Sequence, residues 1–151
     1  MSRLRPLFLT LPILVALGVS QAGAASSNIL QIVIENGPLA GTYKADPGAV
    51  ICIHAAKQRM FSATFKNFSA HAPRDLGEAG IEVLNSDAAG EKHGNIRVAF
   101  GGEKGGTAYA LNYASVTLVS ARDRSTATFE GKTQDGIRIK ITAVCTDVEN
   151  F

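Results

Sequence analysis

The chain has 151 residues, 46% of them hydrophobic and 19% charged, with two cysteines and no tryptophan. Its formal charge of +2 lies wholly in Arg3 and Arg5, because the remaining Lys and Arg equal the Asp and Glu in number. A neutral chain without a basic run has no electrostatic reason to bind nucleic acid or an anionic membrane surface.

Residues 1–24 have the three parts of a secretory signal peptide: Arg3 and Arg5, an apolar run over 7–19, and the A-x-A signature Ala22-Gly23-Ala24. The run is shorter than the roughly 20 apolar residues a spanning helix needs, so no integral membrane segment is expected after cleavage. The expected product, residues 25–151, is secreted or periplasmic and long enough to form a single domain around one core.

Short apolar runs then recur, separated by turn residues. Residues 29–34 are β-branched and apolar and stop at Asn36-Gly37-Pro38. Gly41-Thr42-Tyr43 is a brief extended piece before Asp46-Pro47-Gly48, and 49–53 form the next run. In residues 60–65, Phe61, Ala63 and Phe65 share one face. A non-strand segment is expected over 66–79, with a short helical turn after Pro73. Ile81 and Val83 alternate next.

Gly90-Glu91-Lys92-His93-Gly94 and Gly102-Glu103-Lys104-Gly105-Gly106 read as turns flanking a strand of Ile96, Val98 and Phe100. Tyr109, Leu111 and Tyr113 share a face at period two, followed by short runs at 116–119 and 126–129. The clearest element is last: Ile137, Ile139, Ile141, Ala143 and Cys145 share one face, and Arg138, Lys140 and Thr142 the other. Strand centres every 10–12 residues or so predict an all-β fold, an antiparallel β-sandwich of about eight or nine strands, in preference to a barrel.

Cys52 and Cys145 are the only cysteines. In an exported chain they are expected to form one disulfide, closing a loop of about 94 residues. The period places Cys145 on the core face of its strand. For Cys52 both faces are apolar enough to be buried, and its orientation stays open.

Few patterns carry chemistry. Residues 101–107 lack the Lys-Ser/Thr pair that a phosphate loop requires after its second glycine, and read as a hairpin tip. His54, His71 and His93 form no H-x-H or H-E-x-x-H pair, so no metal site is indicated. There is no G-x-S-x-G nucleophile turn, no cue for paired catalytic carboxylates, and no sign of a cofactor. The lack of tryptophan weighs against a sugar-stacking platform. Asn67-Phe68-Ser69 is a glycosylation sequon. The segment 66–79 is the candidate contact loop, with His71, Arg74, Asp75 and Glu78 as its polar residues, because long loops on rigid β scaffolds often bind partners.

The layout resembles small exported bacterial β-sandwich antigens of the mycobacterial lipoprotein antigen type. The matching features are a first cysteine soon after Gly41-Thr42-Tyr43 and a closing strand ending Ile141-Thr142-Ala143-Val144-Cys145. The strands between them are rich in Thr, Ala and Gly, as in Ser125-Thr126-Ala127-Thr128-Phe129. The chain departs from that family at Ala25, where the lipid-attachment cysteine would stand. The resemblance implies a surface or host-interaction role and no catalytic residues. The expected function is therefore an exported, non-enzymatic binding protein for a protein or small ligand. A small hydrolase or enzyme inhibitor with a loop-borne site, and a carrier of an apolar molecule, are the alternatives.

Overall fold

The computed structural model describes residues 27–85, 90–101, 106–121 and 124–151, and the predicted signal peptide lies outside them. Ten strands follow one another: β1 (Ile29–Ile34), β2 (Gly41–Lys44), β3 (Val50–Ala55), β4 (Met60–Lys66), β5 (Leu76–Leu84), β6 (Gly90–Phe100), β7 (Thr107–Ala121), β8 (Arg124–Lys132), β9 (Arg138–Cys145) and β10 (Glu149–Asn150). The only helical element among the described residues is a single 3-10 turn, Pro47–Ala49, capped by the Asp46 carboxylate on the Gly48 amide at 3.0 Å.

The pairing corrects the expected division into two sheets. All ten strands join one sheet in the order β10-β3-β4-β5-β6-β7-β8-β9-β1-β2. From β3 to β9 it is an antiparallel meander. At one end β1 returns to pair with β9, and at the other β10 lies parallel to β3. Strand spacing cannot distinguish the two architectures, since both need short strands and tight turns; long-range pairing decides between them.

The sheet curls on itself. If it were flat, β3 and β9 would stand about 29 Å apart, six spacings of roughly 4.8 Å. Instead their cysteines are bonded, with Cα atoms 6.0 Å apart. Side-chain size on the inner face permits this curvature. Bulky Ile32, Phe61, Ile81, Phe129 and Ile141 alternate with Ala63, Ala79, Ala127 and Ala143, and all are buried. Strands β4 and β5 place large against small, with Ala63 opposite Ile81 and Phe65 opposite Ala79. Inner-face residues of β1, β3–β9 form one hydrophobic cluster.

Two irregularities bend the sheet further, as bulges do. One lies where Gly77 is skipped between β5 and β6. A side chain there would bring a Cβ within 2.7 Å of the Gly101 carbonyl, so glycine is required. The other lies between β6 and β7, where two steps along β6, from Ile96 to Gly94, match three along β7, from Leu111 to Ala114. Of the residues predicted to alternate here, Tyr109 and Leu111 pack against the core, and the side chain of Tyr113 lies outside the described residues.

Asn28 closes the seam beneath the disulfide. Its buried amide donates to the carbonyls of Val50 (3.2 Å) and Asp147 (3.0 Å), and its Oδ1 accepts from the amides of Thr146 (2.9 Å) and Asp147 (3.0 Å). A single side chain thus ties the start of β1 to the start of β3 and to the turn after β9.

Several local expectations also change. Residues 90–94, expected as a turn, belong to β6 and pair with β7. Residues 107–121, expected as two strands, form one. The helical turn expected after Pro73 is a hydrogen-bonded turn, with Asp75 N bonded to Ala72 O at 2.9 Å. Strand β5 begins at Leu76, so the expected 66–79 loop is confined to 67–75.

Candidate functional site

The connection between β4 and β5 is held by its own backbone. The Asn67 amide donates to Gly77 O at 2.7 Å and the Gly101 amide to Asp75 O at 2.9 Å. Asn67 Oδ1 accepts from Ser69 N at 3.0 Å, the side chain reaching two residues ahead in the manner of an Asx turn. Ala70, almost completely buried, pins the middle of the loop.

The four residues expected to form a contact surface do different things. Asp75 Oδ2 accepts the amides of Ala72 (2.8 Å) and His71 (3.1 Å). Those two hydrogen bonds, the Ala72 bond first, hold its carboxyl below the ordinary aspartate value. Arg74 donates from Nη2 to Ala40 O at 2.8 Å, fastening the loop to the β1–β2 connection. Asp75 and Arg74 therefore shape and anchor the loop. Glu78 lies on β5, where it accepts from Arg97 Nε of β6 at 2.8 Å. His71 is exposed at the surface of the loop.

His71 and Glu78 come together on an open groove of about 760 Å³. Its floor is glycine and alanine: Gly77, Ala99, Gly101, Gly106 and Ala108. Lys66, Arg97, Glu78 and His71 supply the polar groups, and Phe68 and Phe100 the aromatic ones. Phe100 is buried, in edge-to-face contact with Tyr43 at 4.5 Å between ring centres. Phe68 is 84% exposed. The low floor follows from the fold, since the bulge at Gly77 and the β6–β7 hairpin bring backbone close to backbone there.

The sequence pointed to His71 and Glu78 but not to Phe68, Lys66 or Arg97. Arg97 was legible as the outward residue between Ile96 and Val98. Its meeting with Glu78 requires knowing that Glu78 belongs to a strand. Phe68 stood only as the middle of the sequon.

Among the described residues, no group of three or more His, Cys, Asp or Glu side chains is arranged to hold a metal ion. No helix among them is long and apolar enough to cross a membrane. The predicted disulfide is present: Cys52 and Cys145 both point into the core, which settles the open orientation of Cys52 and leaves its neighbour Ile51 exposed. Such a bond is compatible with an extracellular or periplasmic location. No protein-family model, curated protein or solved structure matches the chain.

Proposed function

We propose that the protein is an exported, non-enzymatic binding protein that engages a partner protein at the groove between the β4–β5 loop and the β6–β7 hairpin. One observation carries this reading: Phe68 is held 84% exposed on a loop whose backbone is tied down on both sides. A rigidly presented aromatic beside a low floor and a few charges has the character of an interface anchor. Lys66, Arg97 and Glu78 around it supply orientation.

Export rests on the three-part N-terminal pattern, and the disulfide agrees with it. The layout resemblance to exported bacterial antigens, with its surface-interaction role, points the same way. Filling of the sheet interior by the core cluster favours a surface partner over an apolar cargo.

The test is co-isolation from the native envelope and culture medium. Phe68→Ser with His71→Ala removes two exposed side chains. The double variant should lose a partner that the unaltered chain retains, with an unchanged melting temperature. Equal recovery by both chains refutes the groove as the contact surface.

A further inference from the structure

Strand β7 changes its pairing halfway along. Residues 116–121 pair with β8, whereas 107–111 pair with β6 alone. Beyond Phe129, β8 leaves β7 and stays with β9, ending with Lys132 opposite Arg138. A wedge-shaped cleft of about 470 Å³ opens between them. Ala108, Tyr109, Ala110 and Leu111 form one wall, and residues 132–135 of the β8–β9 turn form the other. The first half of β7 therefore presents a sheet edge inside the molecule.

That edge lacks the devices that usually blunt one. The two outer edges are short: β2 has four residues and ends at Lys44, and β10 has two and begins at Glu149. Residues 107–121 contain no charge, proline or glycine. A strand edge offers amide and carbonyl groups at a repeat of roughly 6.8 Å, two residues along the chain, and another extended backbone matches that repeat.

We propose that the 107–111 edge of β7 accepts an extended polypeptide strand of about five residues by main-chain pairing. The side chains select an alternating sequence. Half-buried Tyr109 and Leu111, packed against the core, meet apolar residues at every second position. Lys132 and Asp135 at the far wall suit polar residues between. A second copy of the chain is disfavoured, because each copy would bring its own β8–β9 turn into the space the other's strand needs. Ala108 lines both the groove and the cleft, but the proposal does not rest on the groove reading, since it needs only the β7 edge that faces away from β6.

The test uses the peptide acetyl-Lys-Val-Thr-Val-Thr-Val-Lys-amide and amide-resolved hydrogen exchange on the protein as exported by its native host. In the free protein, alternate amides within 107–111 exchange quickly, and millimolar peptide slows them about tenfold or more. Two further peptides carry N-methyl groups, one on the valines and one on the threonines. One of them loses about tenfold in affinity and the other binds like the parent, because only one set of amides faces β7. Three results overturn the proposal: unchanged exchange at 107–111, equal binding of both methylated peptides, or a dimer by sedimentation equilibrium in which those amides are already slow. The last would assign the edge to a second copy.

Discussion

Cys52 on β3 and Cys145 at the end of β9 are separated by five intervening strands of one continuous sheet, yet their Cα atoms lie 6.0 Å apart. The bond crosses the seam where the two ends of the sheet approach, and holds the curl shut from inside the core. Its position explains why the fold needs no second sheet: the inner faces of β1 and β9 cover those of β3 and β4.

Removing this bond should be costly. In the chain-entropy account a loop of this length contributes about 4.7 kcal/mol. Cys52→Ser with Cys145→Ser should lower the urea midpoint by that amount divided by the denaturant slope. Mass spectrometry after alkylation without reduction should find no label on either cysteine of the unaltered protein. Two labelled thiols would contradict the pairing.

Asn28 closes the same seam with polar bonds. Asn28→Ala strands the carbonyls of Val50 and Asp147 and the amides of Thr146 and Asp147. At about 1–3 kcal/mol for a buried group left unsatisfied, the variant should lose about 2 kcal/mol or more. Amide exchange should accelerate selectively at 146–151. A uniform acceleration across β4–β6 would show that the seam is not a separate unit.

Asp75 gives the β4–β5 loop an acid dependence. Its folded carboxyl titrates below the ordinary value because it accepts the Ala72 and His71 amides. The stabilisation is therefore present above the unfolded value of about 3.9 and is lost as pH falls through the lower folded one. Proteolysis within 67–75 should rise only at such acid pH. Asp75→Ala should show the acid behaviour at pH 7, and Asp75→Asn, which keeps an acceptor oxygen, should recover part of the protection. A combined Ala replacement of His71, Arg74 and Asp75 should therefore loosen the loop as well as alter its surface.

Tyr109 gives the opposite dependence at the alkaline end. Burial first, then the nearby Tyr43 and Asp135, raise its phenol above the ordinary value. The unfolded chain then releases this proton first, so stability falls as pH climbs above about 10. Tyr109→Phe should flatten the stability curve in that window, as read by thermal melts between pH 9 and pH 11. An unchanged slope would place the phenol in water.

The strands were legible where one face is buried and the other wet. In β9, Ile139, Ile141 and Ala143 alternate cleanly with Arg138, Lys140 and Thr142, and in β4 the rings of Phe61 and Phe65 flank Ala63. Legibility failed where glycine and small residues carry the strand. Gly90 and Gly94 looked like turn residues, yet Gly94 is needed because a Cβ there would run into the backbone carbonyl oxygen of Glu82 on the neighbouring strand. Leu76-Gly77-Glu78-Ala79 looked like loop for the same reason. The site was half legible. His71 and Glu78 could be read from a polar loop, but the groove is made by the bulge at Gly77 and by Arg97 crossing to Glu78, both products of strand register.

The central claim is that a partner protein engages the groove at Phe68, and photo-crosslinking tests it most directly. A benzophenone side chain replaces Phe68 in one variant and exposed Lys140 on β9 in another, each expressed in the native host and irradiated. The account predicts a discrete higher-mass adduct from position 68 and none from position 140. Equal adducts from both positions, or none from position 68, would contradict it.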